Sequence, residues 1–173
     1  MVKAVDNLST NISLKTSESF ISPTDGKVSF SSVVGRVVRY IESRPEFKYR
    51  LIVGSDSETN DQRVDYVTAI VVHRVGAGGI YFWQKNIGQK CHTLRERIYN
   101  EALLSLDSAR KLLTAFHVQK VLDLDLEIHV DVGTNGETRE IINEIIGMVR
   151  SSGFSVKTKP DSFGASKVAD RHT

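Results

Sequence analysis

A chain of 173 residues is long enough to bury one hydrophobic core and short for two domains. Its net charge of +2 is compatible with a nucleic-acid partner without arguing for one, and its single cysteine excludes an internal disulfide and a cysteine-rich zinc site. No apolar run approaches the ~20 residues that span a bilayer, and no secretory signal is visible. We therefore expect one cytoplasmic domain that does not associate with a membrane.

The first part of the chain is rich in Ser, Thr and Asn and has little apolar periodicity. We predict a flexible tail over residues 1–27, with a short ordered piece near Phe20, and a single domain over residues 28–173. The domain is predicted to begin with an amphipathic helix that Ser31 or Ser32 caps and that ends before Pro45.

A three-strand meander, dense in β-branched and aromatic residues, is predicted to follow this helix. Alternating helices and strands come next, and the order after the leading helix is β-β-β-α-β-α-β-α. The predicted elements are strands at 49–57, 64–75 and from 80, a helix at 93–116, a strand at 126–132, a helix at 137–152, a strand at 154–159 and a short last helix. This order predicts an α/β fold with a mixed five-stranded sheet and helices on both faces.

Two aspartates stand at strand ends in this scheme, Asp56 at the end of the first strand and Asp131 at the end of the fourth. Right-handed crossovers place these strands side by side and parallel, so both aspartates are expected at the edge of the sheet where open α/β folds bind ligands. Helical periodicity places Glu101 on the flank of the apolar stripe and Glu96 toward solvent. Carboxylates gathered there repel one another and lose solvation, which a bound divalent cation would relieve.

Each acidic residue also has a simpler interpretation. Asp56 could cap a turn, Asp131 could serve the tight turn that follows it, and Glu101 could be a helix-flank charge near Arg97. Asp170 lies where helices fray, and Glu58 or Asp161 could replace one of the four acids. The sequence Asp-Val-Gly-Thr at 131–134 is similar to a sugar-kinase phosphate loop, but it follows a late strand in a chain too short for the two domains such enzymes need.

The order of elements resembles the ribonuclease H-like fold, with an extra N-terminal helix. Asp56, Glu101, Asp131 and Asp170 match its first-strand, first-helix, fourth-strand and last-helix acids. More narrowly, Gly-Ser-Asp-Ser-Glu at 54–58, Gly-Glu-Thr-Arg-Glu at 136–140 and Lys-Pro-Asp-Ser at 159–162 resemble the YkuK-like ribonuclease H-like family. The resemblance covers about residues 28–173.

This resemblance implies a nuclease with two Mg²⁺ or Mn²⁺ ions, ~3.5–4 Å apart when substrate is bound. It assigns Asp56 to bridge both ions, Glu101 and Asp131 to the leaving-group side, and Asp170 to the nucleophile side. The substrate would be RNA, an RNA–DNA hybrid or DNA. The basic residues near the site in sequence could meet its phosphates, and His172 could pass a proton to the departing 3′ oxygen. These residues are Lys159, Lys167, Arg171 and His172.

Two other hypotheses stay open. The chain could be a non-catalytic ribonuclease H-like module that binds nucleic acid or protein, as its modest charge allows. Holliday-junction or transposase-like chemistry at the same acids would require dimers, and the sequence does not indicate an oligomeric state.

Overall fold

The protein is seen in a computed structural model that describes residues 19–120, 124–133, 138–162 and 164–173, apart from the side chain of Ser166. Seven strands and four helices are found in this part of the chain. They are β1 (Ser19–Ser22), β2 (Gly26–Ser29), α1 (Phe30–Glu42), β3 (Tyr49–Thr59), β4 (Arg63–Arg74), β5 (Gly79–Gln89), α2 (Leu94–Val118), β6 (Asp125–Val130), α3 (Thr138–Ser151), β7 (Ser155–Thr158) and α4 (Gly164–Asp170).

All seven strands belong to one mixed sheet in the order β2-β1-β5-β4-β3-β6-β7. The meander β3–β5 is antiparallel, whereas β6 pairs parallel with β3 and β7 pairs parallel with β6. Ser55 on β3 stands opposite Val130 on β6. The predicted parallel pairing of these two strands is therefore confirmed, and their carboxyl ends lie side by side.

The prediction of five strands is too low, because a hairpin precedes the helix that was expected to open the domain. β1 and β2 pair antiparallel, and β1 joins β5 where Ile21 stands opposite Trp83. Residues 19–27, assigned to a flexible tail by sequence, thus include a strand of the sheet and the turn to the next, while residues 1–18 lie outside the described residues.

The first helix begins earlier than the sequence suggests. Ser29 caps α1, its side chain accepting a hydrogen bond of 3.2 Å from the backbone N–H of Ser32. The predicted cap Ser31 therefore lies inside the first turn. The physical reason is that β2 runs directly into α1, so the cap is the last residue of a strand.

The helices cover both faces of the sheet. On one face, α1, α2 and α3 pack on a large core that includes Leu51 and Val53 of β3. On the other face, α4 packs through Ala165 and Ala169 on a smaller cluster that includes Ile52. This division follows from the alternation of side chains along a strand. None of the described helices is both long and apolar enough to cross a bilayer.

Gly54 is the point at which α4 comes closest to the central strand. A Cβ atom at this position would lie 2.8 Å from the Cβ of Ala165 and 2.8 Å from the carbonyl oxygen of His129. Neither a backbone oxygen nor the first carbon of an alanine can rotate away, so any larger side chain would push α4 off the sheet. The absence of a side chain at Gly54 thus fixes the height of α4 above β3.

Candidate functional site

Asp56 and Asp131 occupy the edge of the sheet at which β6 ends and its pairing with β3 stops. Asp56 follows Ser55, the last β3 residue that pairs with β6, and Asp131 directly follows β6. Both residues are partly buried. The topology thus brings together two acids that are far apart in sequence, as parallel neighbouring strands require.

Glu101 reaches this edge from α2, on the opposite side of the sheet from α4. It is only 6% exposed, and its Oε1 atom accepts a hydrogen bond of 2.5 Å from the hydroxyl of Ser57. Asp56 lies on the same face of β3 as Gly54, beneath α4, whereas Ser57 faces α2. The Ser57 hydroxyl therefore orients the Glu101 carboxylate at the end of β3.

Asp170 comes to the same edge from α4. It is the last residue of that helix and is exposed. Because Ala165 and Ala169 hold α4 against the central strands, Asp170 lies near enough to Asp56 for its charge to raise the pKa of the Asp56 carboxyl. The four predicted acids thus approach one edge from two strands and two helices.

The electrostatics of the site are those of crowded carboxylates. Burial raises the pKa of Asp56 above its usual value, the Ser57 backbone N–H opposes this shift, and the charges of Asp131 and Asp170 add to it. The pKa of Glu101 is raised to about 7, chiefly by burial. The hydrogen bond from the Ser57 hydroxyl lowers this pKa, and the charges of Asp56 and Asp131 contribute to its increase. Ionised carboxylates are therefore disfavoured here unless a cation accompanies them.

The donor set fits a hard divalent cation, because all four side chains offer carboxylate oxygens, which suit Mg²⁺ or Mn²⁺. The raised pKa values of Asp56 and Glu101 point the same way, since a bound cation would offset both burial and mutual repulsion. Within the described ranges, however, no three His, Cys, Asp or Glu side chains lie close enough together to hold one ion. Metal binding would thus require these side chains to adjust.

The four basic residues predicted to meet phosphates differ in their surroundings. Lys159 forms an ion pair with Asp131, with 3.0 Å between Nζ and Oδ1. Lys167 and Arg171 are exposed. The ring of His172 stacks on Trp83 at 4.3 Å between centroids, which holds it against β5. Lys159 is thus in direct contact with a site acid, and phosphate binding by all four residues stays a prediction.

Two further side chains belong to this edge, and the sequence analysis gave neither a role in the site. Strand alternation contains the signal for Ser57, since the residue after Asp56 must face the other side of the sheet and hence α2. Helical periodicity contains the signal for Arg97, which precedes Glu101 by one turn. Its positive charge lowers the pKa of both Asp56 and Glu101. The spare acids Glu58 and Asp161 are exposed.

A cavity of about 410 Å³ lies elsewhere, between the turn of the β1–β2 hairpin, α1 and the start of β5. Two arginines, Arg36 and Arg39, line it, and Arg36 is paired with Asp25 at 2.5 Å. None of the four acids contributes to this cavity. The acids therefore lie outside this cavity.

Comparison with known proteins agrees with this fold. The family model described as "Ribonuclease H-like" matches residues 32–173, and the chain belongs to that family. Within it the protein is YkuK-like. It is 30% identical over 167 residues to "Uncharacterized protein YkuK" of Bacillus subtilis (strain 168), which covers 89% of this chain and 96% of the relative. No solved structure matches the chain. Membership of this family suggests a nuclease-type or nucleic-acid-related function.

Proposed function

We propose that this protein is a divalent-metal-dependent nuclease that hydrolyses phosphodiester bonds, with RNA or an RNA–DNA hybrid as its substrate. The observation that carries the proposal is the mutual electrostatic influence of four acids from β3, α2, β6 and α4, with Glu101 buried and its pKa raised to about 7. Buried acids that repel one another cost stability. Their presence at an open sheet edge is explained if they serve to bind a cation.

The chain's own groups hold the acids in place. Asp56 stands at the centre of the proposed site, because its charge interacts with those of Asp131, Asp170 and Glu101. Ser57 orients Glu101 through its 2.5 Å hydrogen bond. With a pKa of about 7, Glu101 changes protonation near neutral pH, so the charge available to a cation depends on pH in that range.

Divalent cations bound here would supply the chemistry of the two-metal mechanism, namely stabilisation of charge on the attacking and leaving oxygens of an in-line displacement. Asp56, Glu101, Asp131 and Asp170 would hold them. Lys159, Lys167, Arg171 and His172 would contact the substrate backbone. Contacts of this kind, to phosphate rather than to bases, position a strand without reading its sequence.

The proposal is tested by comparing wild type with Asp56→Asn in two assays. Calorimetric titration with Mn²⁺ should give saturable binding to wild type only. Cleavage of labelled single-stranded RNA, RNA–DNA hybrid and DNA with Mg²⁺ or Mn²⁺ should fall by several orders of magnitude in the variant. Asp107→Asn is the matched control, because Asp107 is an exposed acid of α2 that pairs with Lys111.

Retention of both activities by Asp56→Asn, or absence of cleavage of every substrate by the folded wild type, would overturn the nuclease proposal. If wild type binds Mn²⁺ but cleaves none of the substrates, the proposed cation site is supported and the proposed nuclease activity is rejected.

A non-catalytic nucleic-acid-binding module is the second candidate, and the 3.0 Å contact between Lys159 and Asp131 favours it. A lysine can hold the charge of a site acid with no metal present, and the exposure of Asp170 also weakens a fully assembled metal site. This candidate predicts that nucleic-acid binding survives both EDTA and Asp56→Asn. The nuclease proposal predicts instead that cleavage and the binding that leads to it require the divalent cation.

A further inference from the structure

Arg97 lies on α2 one helical turn before Glu101, so both side chains project from the same side of the helix. The Arg97 side chain is partly buried, and its charge acts on Asp56 as well as on Glu101. Because Glu101 is hydrogen-bonded to Ser57 of β3, Arg97 lies one turn from the point where α2 meets that strand. The sheet edge that carries the acids therefore also carries a permanent cation.

Arg97 differs from its basic neighbours because it forms no ion pair with a described carboxylate. In the described ranges its Nε atom is buried without a hydrogen-bond partner, and no carboxylate lies within 4.0 Å of its guanidinium. Arg95, two residues earlier, is bound to Glu144 at 2.5 Å. Lys85 is bound to Asp65 at 3.0 Å. Arg97 thus has donors that a ligand could use.

The chemistry of a guanidinium identifies the class of that ligand. It stays charged at every accessible pH and carries five N–H donors in a planar fork that matches two oxygens of a phosphate. The Nε–H of Arg97 is buried, so the terminal N–H groups of the guanidinium are the donors that an incoming anion would meet. Carboxylates alone repel a phosphodiester, so a strand bound at this edge needs a fixed cation beside any metal ions.

We propose that Arg97 is a further phosphate-binding residue of this site and donates hydrogen bonds to a backbone phosphate of the nucleic-acid strand held against the acids. This inference rests on the proposed function for the identity of the ligand. It assigns to Arg97 a contact with the substrate, whereas a purely structural role would make it a countercharge that only stabilises Asp56 and Glu101.

The two roles differ in what Arg97→Gln changes. Removal of a countercharge alters Mn²⁺ affinity and leaves the number of protein–phosphate contacts as it was. Removal of a phosphate ligand lowers nucleic-acid affinity and makes it less dependent on salt, because fewer counterions are released on binding. The dependence of affinity on salt concentration is therefore the readout that a structural role would not move.

The experiment measures binding of a labelled single-stranded RNA by fluorescence anisotropy over a range of KCl concentrations, with Ca²⁺ present to neutralise the acids. The full chain is compared as wild type, Arg97→Gln, Arg97→Lys and Arg95→Gln. Arg95→Gln removes the same charge from the same helix, but from an exposed side chain engaged with Glu144. Thermal unfolding and Mn²⁺ calorimetry are measured on each protein.

We expect Arg97→Gln to lose affinity roughly tenfold or more. The slope of log affinity against log salt should become shallower by about 0.7. Mn²⁺ affinity should be retained or increased, because a competing cation is gone. Arg97→Lys should recover part of the affinity through its point charge, and Arg95→Gln should bind as wild type does.

The inference is overturned if Arg97→Gln keeps the wild-type affinity and slope, if Arg95→Gln loses as much as Arg97→Gln, or if wild type binds no nucleic acid. It is also overturned if Arg97→Gln loses Mn²⁺ binding and thermal stability together and Arg97→Lys does not restore RNA affinity. Cleavage by wild type in Mn²⁺ tests the proposed function separately. If Arg97→Gln changes the salt slope but wild type cleaves nothing, only the nuclease proposal is rejected. If wild type cleaves RNA but Arg97→Gln keeps the wild-type slope, only the role of Arg97 is rejected.

Discussion

The ammonium group of Lys159 lies 3.0 Å from the carboxylate of Asp131. The contact is a consequence of topology, since Lys159 directly follows β7, which runs parallel to β6, and Asp131 directly follows β6. Lys159 remains 57% exposed, so the pair is worth little free energy. Lys159 can therefore leave Asp131 at small cost when another cation arrives.

Lys159→Gln is expected to increase Mn²⁺ affinity severalfold, because the variant lacks the ammonium that competes for Asp131. Calorimetric titration at low salt measures the effect. Lys167→Gln is the control, since Lys167 is an exposed lysine of α4 and no ion pair is seen for it among the described residues. An unchanged or reduced Mn²⁺ affinity in Lys159→Gln would mean that Asp131 is not a metal ligand.

Glu101→Gln is expected to stabilise the metal-free protein at alkaline pH and to have little effect at acid pH. The native pKa of Glu101 is raised from 4.5 to about 7, so between these values the native state binds more protons than the unfolded state. The free energy of unfolding of wild type therefore falls as pH rises through this window, and the loss is complete above about pH 7. The gain in the variant should reach about 2 to 3 kcal/mol.

Urea unfolding in EDTA at about pH 4 and about pH 8 measures this difference. Glu96→Gln is the matched control on the same helix, because Glu96 is exposed and glutamine can accept the same hydrogen bond from the His92 backbone. Equal unfolding free energies for Glu101→Gln and wild type at both pH values would contradict the raised pKa. Saturating Mn²⁺ should abolish the advantage of the variant if Glu101 binds the ion.

Ser57→Ala is expected to weaken Mn²⁺ binding severalfold at neutral pH and much less at alkaline pH. The Ser57 hydroxyl lowers the pKa of Glu101, so its loss moves that pKa further above the usual value and keeps the acid protonated to higher pH. The measurement is Mn²⁺ affinity as a function of pH.

Ser55→Ala is the control for this effect. Ser55 lies on the same face of β3 and bonds to Thr68 and Ser105 rather than to Glu101. We expect it to lower stability by about 1 kcal/mol without moving the pH midpoint of Mn²⁺ binding. A midpoint that moves equally in both variants would show that the shift reports general destabilisation.

Gly54→Ala is expected to lower the free energy of unfolding by about 1 to 3 kcal/mol, because the new methyl group would lie 2.8 Å from Ala165 and from a backbone oxygen of β6. Gly147→Ala on α3 is the opposite case. Nothing lies within 4 Å of a Cβ at Gly147, and alanine in a helix should stabilise by roughly 0.5 to 1 kcal/mol. Urea unfolding of both variants measures these changes. A free energy of unfolding in Gly54→Ala equal to that of wild type would mean that α4 does not pack closely on β3.

Much of the fold followed from periodicity. The meander and the side of α2 that carries Glu101 follow from long patterns of apolar residues. The parallel pairing of β3 and β6 follows from the order of the elements and the handedness of crossovers. The β1–β2 hairpin was missed because each of its strands has four residues and, of these, only Phe20, Ser22 and Val28 are buried. Such strands exist through tertiary contact with β5 and α1, which a local pattern does not contain.

The part of the candidate site that could be predicted from sequence is the part that lies at the ends of strands. Asp56 and Asp131 could be brought together by topology alone. Topology also places Lys159 beside Asp131, but the ion pair between them and the lack of an ion pair at Arg97 depend on which of several long side chains reaches a given acid. Rotamers of exposed lysines and arginines are decided by small differences in free energy among many partners.

The packing of α4 on the centre of the sheet has a consequence for synthesis of the chain. Ile52, Val67 and Ala69 belong to strands made early, yet the alanines that cover them come from the last described helix. On the ribosome these strands can pair while one apolar face of the sheet still meets water. A growing chain therefore passes through a stage in which that patch is open to association with other chains, and the docking of α4 brings this stage to an end.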